Sequence, residues 1–490
     1  MANVLSKETL EETARLITSL MGLYFPEDRL TDLERGLASA SRELGFADIA
    51  NFIKWLKSSP MTKESLEIMA SHLTVGETYF FREKDTLSAV ETRILPEIIK
   101  SKRTGEKRLR IWSAGCSTGE EPYTIAIILH RLISDITDWN ITILATDINP
   151  MSLKKARRGV YGEWSFRNSP EWLKSSYFKR AADNGYEIAP FIKNMVTFEY
   201  LNLADDVYPS LLSNTNAMDI IFCRNVLMYF RPDLSRKVVT AFYNSLMEKG
   251  FLLVSPCETL TSITTLFAME NHQNATLYRK DSDAGAGSKP ALYANRFDSK
   301  AIPAAPAPQA APMPKQTAIK RPSPLRPAED DYAFALRMFN DGRFKEAAKR
   351  LEESLGGGAD ARSAILLARI RANAGELEDA LKWCEKAVAA NRLDPYCHYL
   401  RATILQEEGR LQDAVEELKR ALYLDHGFVL AYFVLGSIFL KLGDEQAGAR
   451  NLKNALEILS AFSPDAIIPE SEGITAGRLV EIISSMAKMQ

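Results

Sequence analysis

The chain has 490 residues, of which 46% are hydrophobic and 25% charged, too long for one ordinary domain and suited to two or three. A net charge of −2 excludes a global pull toward nucleic acid or an anionic membrane, and no apolar run is long enough to cross a bilayer. The five cysteines are scattered without a CxxC pair and the five histidines are equally dispersed, which argues for reduced thiols in a cytoplasmic protein and against a metal site.

The opening residues, MANVLSKETLEETARL, carry acidic side chains early and do not read as a signal peptide. Residues 1–75 show helical periodicity almost throughout, as in LERGLASASREL and IANFIKWLKSS. Residues 76–280 alternate β-rich runs (LRIWSA, ITILATD, MVTFEY, MDIIFC, FLLVSP) with helical ones such as EEPYTIAIILHRLIS and PDLSRKVVTAFYNSLMEK. That alternation predicts a Rossmann-like α/β domain, a parallel sheet with helices on both faces. Within it, Phe178 to Phe198 reads as a small antiparallel excursion turning at Asp183-Asn184-Gly185.

Residues 281–327 are rich in alanine and proline, cannot build a packed core, and predict a semi-rigid tether about which two bodies move. Beyond it Gly342, Gly375, Gly409 and Gly443 recur at spacings of 33, 34 and 34 residues. Each is followed by a small residue (Ala347, Ala380, Ala414, Gly448), then a bulky one (Leu351, Cys384, Leu418, Leu452), then another small one (Ser354, Ala387, Ala421, Ala455). This pattern resembles the tetratricopeptide repeat, a pair of antiparallel helices, and predicts four repeats over 328–461. Residues 462–490 end in TAGRLVEIISSMAKM, which reads as a capping helix for an all-α solenoid. The concave face of such a solenoid suits an extended or helical peptide of a partner protein.

In a parallel sheet the ligand lies at the carboxyl ends of the strands. After the first strand come Ser113 to Pro122, whose small residues let the backbone approach a ligand; after the second comes Asp147, suited to accept from both ribose hydroxyls. Together they point to a nucleoside-bearing cofactor. Glu120 and Glu121 stand where a dinucleotide fold places a pyrophosphate, and two carboxylates would repel it. They tolerate an ammonium and a sulfonium, which favours S-adenosylmethionine.

Four stretches in order, GETYFFRE (76–83), WSAGCSTGEEPYTIA (112–126), TDINPMSLKKARRGVY (146–161) and IFCRNVLMYF (221–230), resemble the chemotaxis receptor methyltransferase family of the CheR type, over about residues 5–280. The resemblance implies that S-adenosylmethionine methylates glutamate side chains on the cytoplasmic helices of a methyl-accepting chemoreceptor. It implies that Thr78 and Arg82 face the cofactor and the transfer site. Ala114 and Glu120 would line its methionine and adenosine portion, and Asp147 would hold the ribose. Asn202 and Leu203 would flank the adenine, Asn225 and Val226 would complete the pocket, and Tyr229 would sit near the transferring methyl.

The chemistry suits those residue types. A glutamate is already ionised at neutral pH and a sulfonium methyl is a strong electrophile, so the work is alignment, with Arg82 and Tyr229 steering the two carboxylate oxygens. The chain departs from the family at Gly76, where asparagine is common, and at Pro256-Cys257-Glu258, where a His-Ser-Glu run is common. The excursion's loop is also shorter by a few residues than in members that dock a receptor's terminal peptide there, so no dependence on such a peptide is expected. Lys54, Lys57 and Lys63, with Arg29, Arg35 and Arg42 upstream, offer a basic face to acidic receptor helices. The competing readings are another acceptor for the same cofactor, with nucleic acid ranked lowest, and a scaffold that binds cofactor without turnover.

Overall fold

The computed structural model describes residues 5–281 and 330–487, except 60, 106, 182–183, 206, 259–260, 341–342, 356–359 and 472. The predicted tether therefore lies, apart from Asp281, outside the described residues.

The amino-terminal region is helical, with helices Lys7–Met21, Leu30–Glu43, Ile49–Ser58 and Lys63–Leu73. Ser6, Asp48 and Thr62 cap three of them by accepting a backbone N–H three residues on. Ile17, Leu33, Leu37 and Phe52 are buried between them.

Among the described residues the α/β domain carries ten strands: β1 Arg108–Ala114, β2 Asn140–Asp147, β3 Val160–Tyr161, β4 Phe178–Arg180, β5 Tyr186–Ile188, β6 Val196–Tyr200, β7 Met218–Cys223, β8 Leu246–Val254, β9 Ala268–His272 and β10 Ala275–Arg279. Seven form one sheet in the order β6-β2-β1-β7-β8-β10-β9. The first five are mutually parallel, and β10 runs antiparallel to both of its neighbours, β8 and β9. Central β1 is buried along its whole length, as a parallel strand covered on both faces must be. Its Leu109 and Ile111 join one hydrophobic core and Trp112 and Ala114 the other, following the two-residue period of a strand.

Within the α/β domain the elements expected from sequence differ from the structure at three points. The Phe178–Phe198 excursion stops at Ile188: β3, β4 and β5 form a separate antiparallel sheet, and Val196–Tyr200 pairs with β2 as the edge strand of the main sheet. The helix predicted through Lys249 ends at Ser245, and β8 begins at Leu246. The β9–β10 hairpin was not anticipated, because its turn at Gln273-Asn274 contains no glycine to announce it.

Four antiparallel helix pairs follow, Asp331–Asn340 with Phe344–Leu355, Ala361–Asn373 with Leu377–Ala390, Pro395–Glu407 with Leu411–Leu424, and Val429–Lys441 with Glu445–Leu459, then a last helix Ala476–Ala487. Gly375, Gly409 and Gly443 take φ of 78–80° between the helices of their pairs, a conformation costly for other residues; Gly342 lies outside the described residues. The repeats do not stand apart from the α/β domain, as a mobile tether suggests. They pack against it through Glu407, Arg478 and an apolar seam. Among the described residues no helix is long and apolar enough to cross a membrane.

Candidate functional site

The carboxyl ends of β1, β2, β6 and β7 open into a cavity of about 280 Å³. The chain leaves β1 through Gly115 at φ 80°, and a Cβ there would stand 2.4 Å from Val226 Cγ2. Gly115 and Cys116 donate their N–H groups to the Thr146 carbonyl (2.8 and 2.9 Å), which ties the loop to β2. Asp147 ends β2 and accepts from the Ser117 N–H at 2.7 Å and the Asn149 N–H at 2.8 Å. Burial pushes its carboxyl above the ordinary aspartate value, and those backbone bonds pull it back. The wall beside it is Leu201, Asn202 and Leu203.

Glu121 also lines the cavity, paired with Arg224. The Arg224 Nε donates to Glu121 at 2.6 Å, and its Nη1 donates to the Arg82 carbonyl at 2.8 Å. Ser113 donates to the other Glu121 oxygen at 2.7 Å. A fixed carboxylate beside a fixed guanidinium offers both charges to a zwitterionic amino-acid group.

The turn after β7 carries Asn225, Val226 and Tyr229 into the cavity. Glu258, itself buried, organises it: its carboxylate accepts from the N–H groups of Asn225 (2.6 Å), Met228 (3.2 Å) and Ser255 (3.1 Å). The mouth is closed by the amino-terminal region through Met21, Leu23 and residues 73–78. Tyr24 donates its N–H to the Tyr229 carbonyl (2.8 Å), and the Arg29 guanidinium lies 5.3 Å from the Tyr229 ring centre. Arg82 donates to the Glu77 carbonyl at 2.8 Å. Burial raises the Tyr229 phenol above its usual value while Arg29 and Arg82 oppose the shift, so the hydroxyl stays a neutral donor at neutral pH. Ser117 and Asn225, which line the cavity, and Phe81 and Glu83, on either side of Arg82, all take positive φ (48°, 59°, 59° and 57°).

Of the residues singled out by sequence, Thr78, Arg82, Asp147, Asn202, Leu203, Asn225, Val226 and Tyr229 line the cavity together. Ala114 and Glu120 do not. Ala114 is buried in the core beneath the loop, and Glu120 is buried behind it, accepting from Thr118 Oγ1 (2.6 Å) and Ser165 Oγ (2.9 Å). Of the two adjacent glutamates it is Glu121, not Glu120, that lines the cavity. Arg224 and Glu258 were missed; a lone arginine directly after a buried strand, in FCRN, is the signal that could have found the first. Gly76 leaves room, since a Cβ there would meet only Ser117 Oγ at 3.5 Å, and Cys257 lies exposed at the cavity edge. Of the expected basic face, Arg29 turns to Tyr229, Arg35 pairs with Asp32 and Lys57 with Glu12, while the side chain of Lys63 lies outside the described residues.

Residues 76–276 match the family described as CheR methyltransferase, SAM binding domain, and residues 338–404 and 395–426 match tetratricopeptide repeat families. The chain is similar to a chemotaxis protein methyltransferase of Borreliella burgdorferi, 32% identical over 52% of this chain and 89% of the relative. It is similar to chemotaxis protein methyltransferase 2 of Vibrio cholerae, 36% identical over 44% and 74% respectively. A probable biofilm formation methyltransferase, WspC, of Pseudomonas aeruginosa is 28% identical over 90% of this chain and 96% of its own length, so that likeness spans the repeats as well.

Proposed function

The chain belongs to the CheR family of S-adenosylmethionine-dependent methyltransferases, and from that premise we propose that it esterifies glutamate side chains on the cytoplasmic helices of a methyl-accepting chemoreceptor-like protein. The observation that carries the reading is a single cavity of about 280 Å³ that brings Asp147 together with Arg82 and Tyr229.

The residues present fit the cofactor. Asp147 has lone pairs left for ribose hydroxyls, Leu201, Leu203 and Val226 give an apolar slot for a purine, and the Glu121–Arg224 pair complements an ammonium and a carboxylate. Bound S-adenosylmethionine supplies an electrophilic methyl on a sulfonium. The chain's own part is positional. Arg82 takes one oxygen of the incoming carboxylate, the Tyr229 hydroxyl donates to the other, and the remaining lone pair is held on the line of displacement. No proton has to move, because the acceptor arrives ionised.

The repeats serve protein–protein interaction, in a cytoplasmic setting, with a partner beyond the receptor itself. A scaffold without turnover is disfavoured by the intact Arg82 and Tyr229. The test is to incubate the full chain, S-adenosylmethionine and a receptor cytoplasmic fragment, and to map modified residues by mass spectrometry. Methylation confined to glutamates, lost when those glutamates become alanine, supports the reading. Methylation of amines, or of a small molecule only, replaces it with another acceptor, and no methylation leaves a scaffold.

A further inference from the structure

The cavity wall Leu201–Asn202–Leu203 runs on into a knuckle, Val207 to Asn216, and the repeat domain holds this stretch at both ends. At the near end Arg478, on the last helix, donates from Nη2 to the Tyr200 carbonyl at 2.9 Å. Its guanidinium also lies 4.3 Å from the Tyr200 ring centre. Burial pushes the carboxyl of Glu199, the preceding residue, above the ordinary glutamate value, and the positive charges of Arg157, Lys441 and Arg478 oppose that rise. Tyr200 in turn pairs in register with Asp147, and Leu201 donates its N–H to the Asp147 carbonyl (3.2 Å).

At the far end Leu211 packs against the core of the second and third repeats and Leu212 against that of the third and fourth. Beneath the knuckle Arg110 of β1 donates to the carbonyls of Asn214 (3.1 Å) and Asn216 (3.2 Å). Glu407, at the carboxyl end of a repeat helix, meets Arg108 at 3.3 Å and Arg110 at 3.8 Å, with all three side chains no more than 6% exposed. Buried charges of this kind are costly when separated, so they fix one seating of the repeats on the enzyme.

We propose that the repeat domain braces a wall of the cofactor site from behind, with Arg478 as a positioning residue that sets Tyr200 and thereby the Leu201–Leu203 face. The part of the solenoid seated here is committed to the enzyme's own chain, and an outside partner must use the remaining surface or displace the knuckle. The inference rests on cofactor binding alone and is independent of the acceptor.

The test uses the full chain, with S-adenosylhomocysteine binding by calorimetry and initial rates against S-adenosylmethionine. Wild-type binding secures the cofactor reading by itself. Arg478→Ala is expected to weaken binding and raise KM for the cofactor about five- to tenfold, with kcat at saturation within about twofold. Arg478→Lys, which keeps a charge and a donor, recovers most of the loss, and Leu211→Ser with Leu212→Ser reproduces it from the far end. A merely structural role would lower the active fraction and leave KM alone. Wild-type affinity and KM in folded Arg478→Ala, or a fall in kcat with KM unchanged, overturns the proposal.

Discussion

The floor of the site and its mouth are built by different means. At the floor, Asp147, Glu121 and Arg224 are fixed by short backbone and ion-pair contacts within one sheet. At the mouth, Arg82 and Tyr229 come from separate loops of the α/β domain, and Arg29 reaches Tyr229 through the packing of the amino-terminal helices on that domain. A floor made this way holds a constant ligand, the cofactor. A mouth made this way can differ with the acceptor without disturbing the floor, and mutations in the two should separate binding from turnover.

The largest effect is expected at the floor. Asp147→Ala should weaken S-adenosylhomocysteine binding more than about 100-fold, the loss of two charge-assisted hydrogen bonds. The same carboxylate sets a pH dependence. Its folded value is raised, so the empty chain gains stability from its protonation, a gain lost as pH rises through that value. Cofactor binding uses the ionised form, so calorimetry should show affinity falling as pH drops through that raised value, and Asp147→Asn should flatten that fall.

At the mouth, Arg82→Ala should lower kcat by roughly 10- to 100-fold with cofactor affinity nearly unchanged; an equal loss of both would erase the distinction between floor and mouth. Glu258→Ala frees three backbone N–H groups and should cost roughly 2–3 kcal/mol in denaturant unfolding, since it supports the turn that both regions share. Tyr229→Phe should reduce kcat by only about three- to tenfold, because one neutral donor is lost. Smallest of all, a receptor-tail pentapeptide should show no micromolar affinity, and measuring such affinity would restore the small β3–β5 sheet as a docking point.

The floor was largely legible in the sequence and the mouth less so, for a physical reason. Glycines and a carboxylate directly after apolar runs mark strand ends, so Asp147 and the 113–122 loop could be read locally. Which of two adjacent glutamates faces the cavity could not: the αL turn at Gly119 starts a helix whose phase buries Glu120 under Ser165 and leaves Glu121 at the opening. Arg29 read as a surface charge because its partner Tyr229 lies 200 residues away. The repeats were legible from their period, whereas their seating depends on Arg110 and Glu407, which no local pattern links.

The central claim, a glutamate ester formed at the Arg82–Tyr229 mouth, is tested most directly by the chemical lability of the product. A receptor fragment labelled by the full chain with radioactive methyl groups should release that label as volatile methanol under mild base. Label that survives the base, as an amide or amine would, contradicts the account.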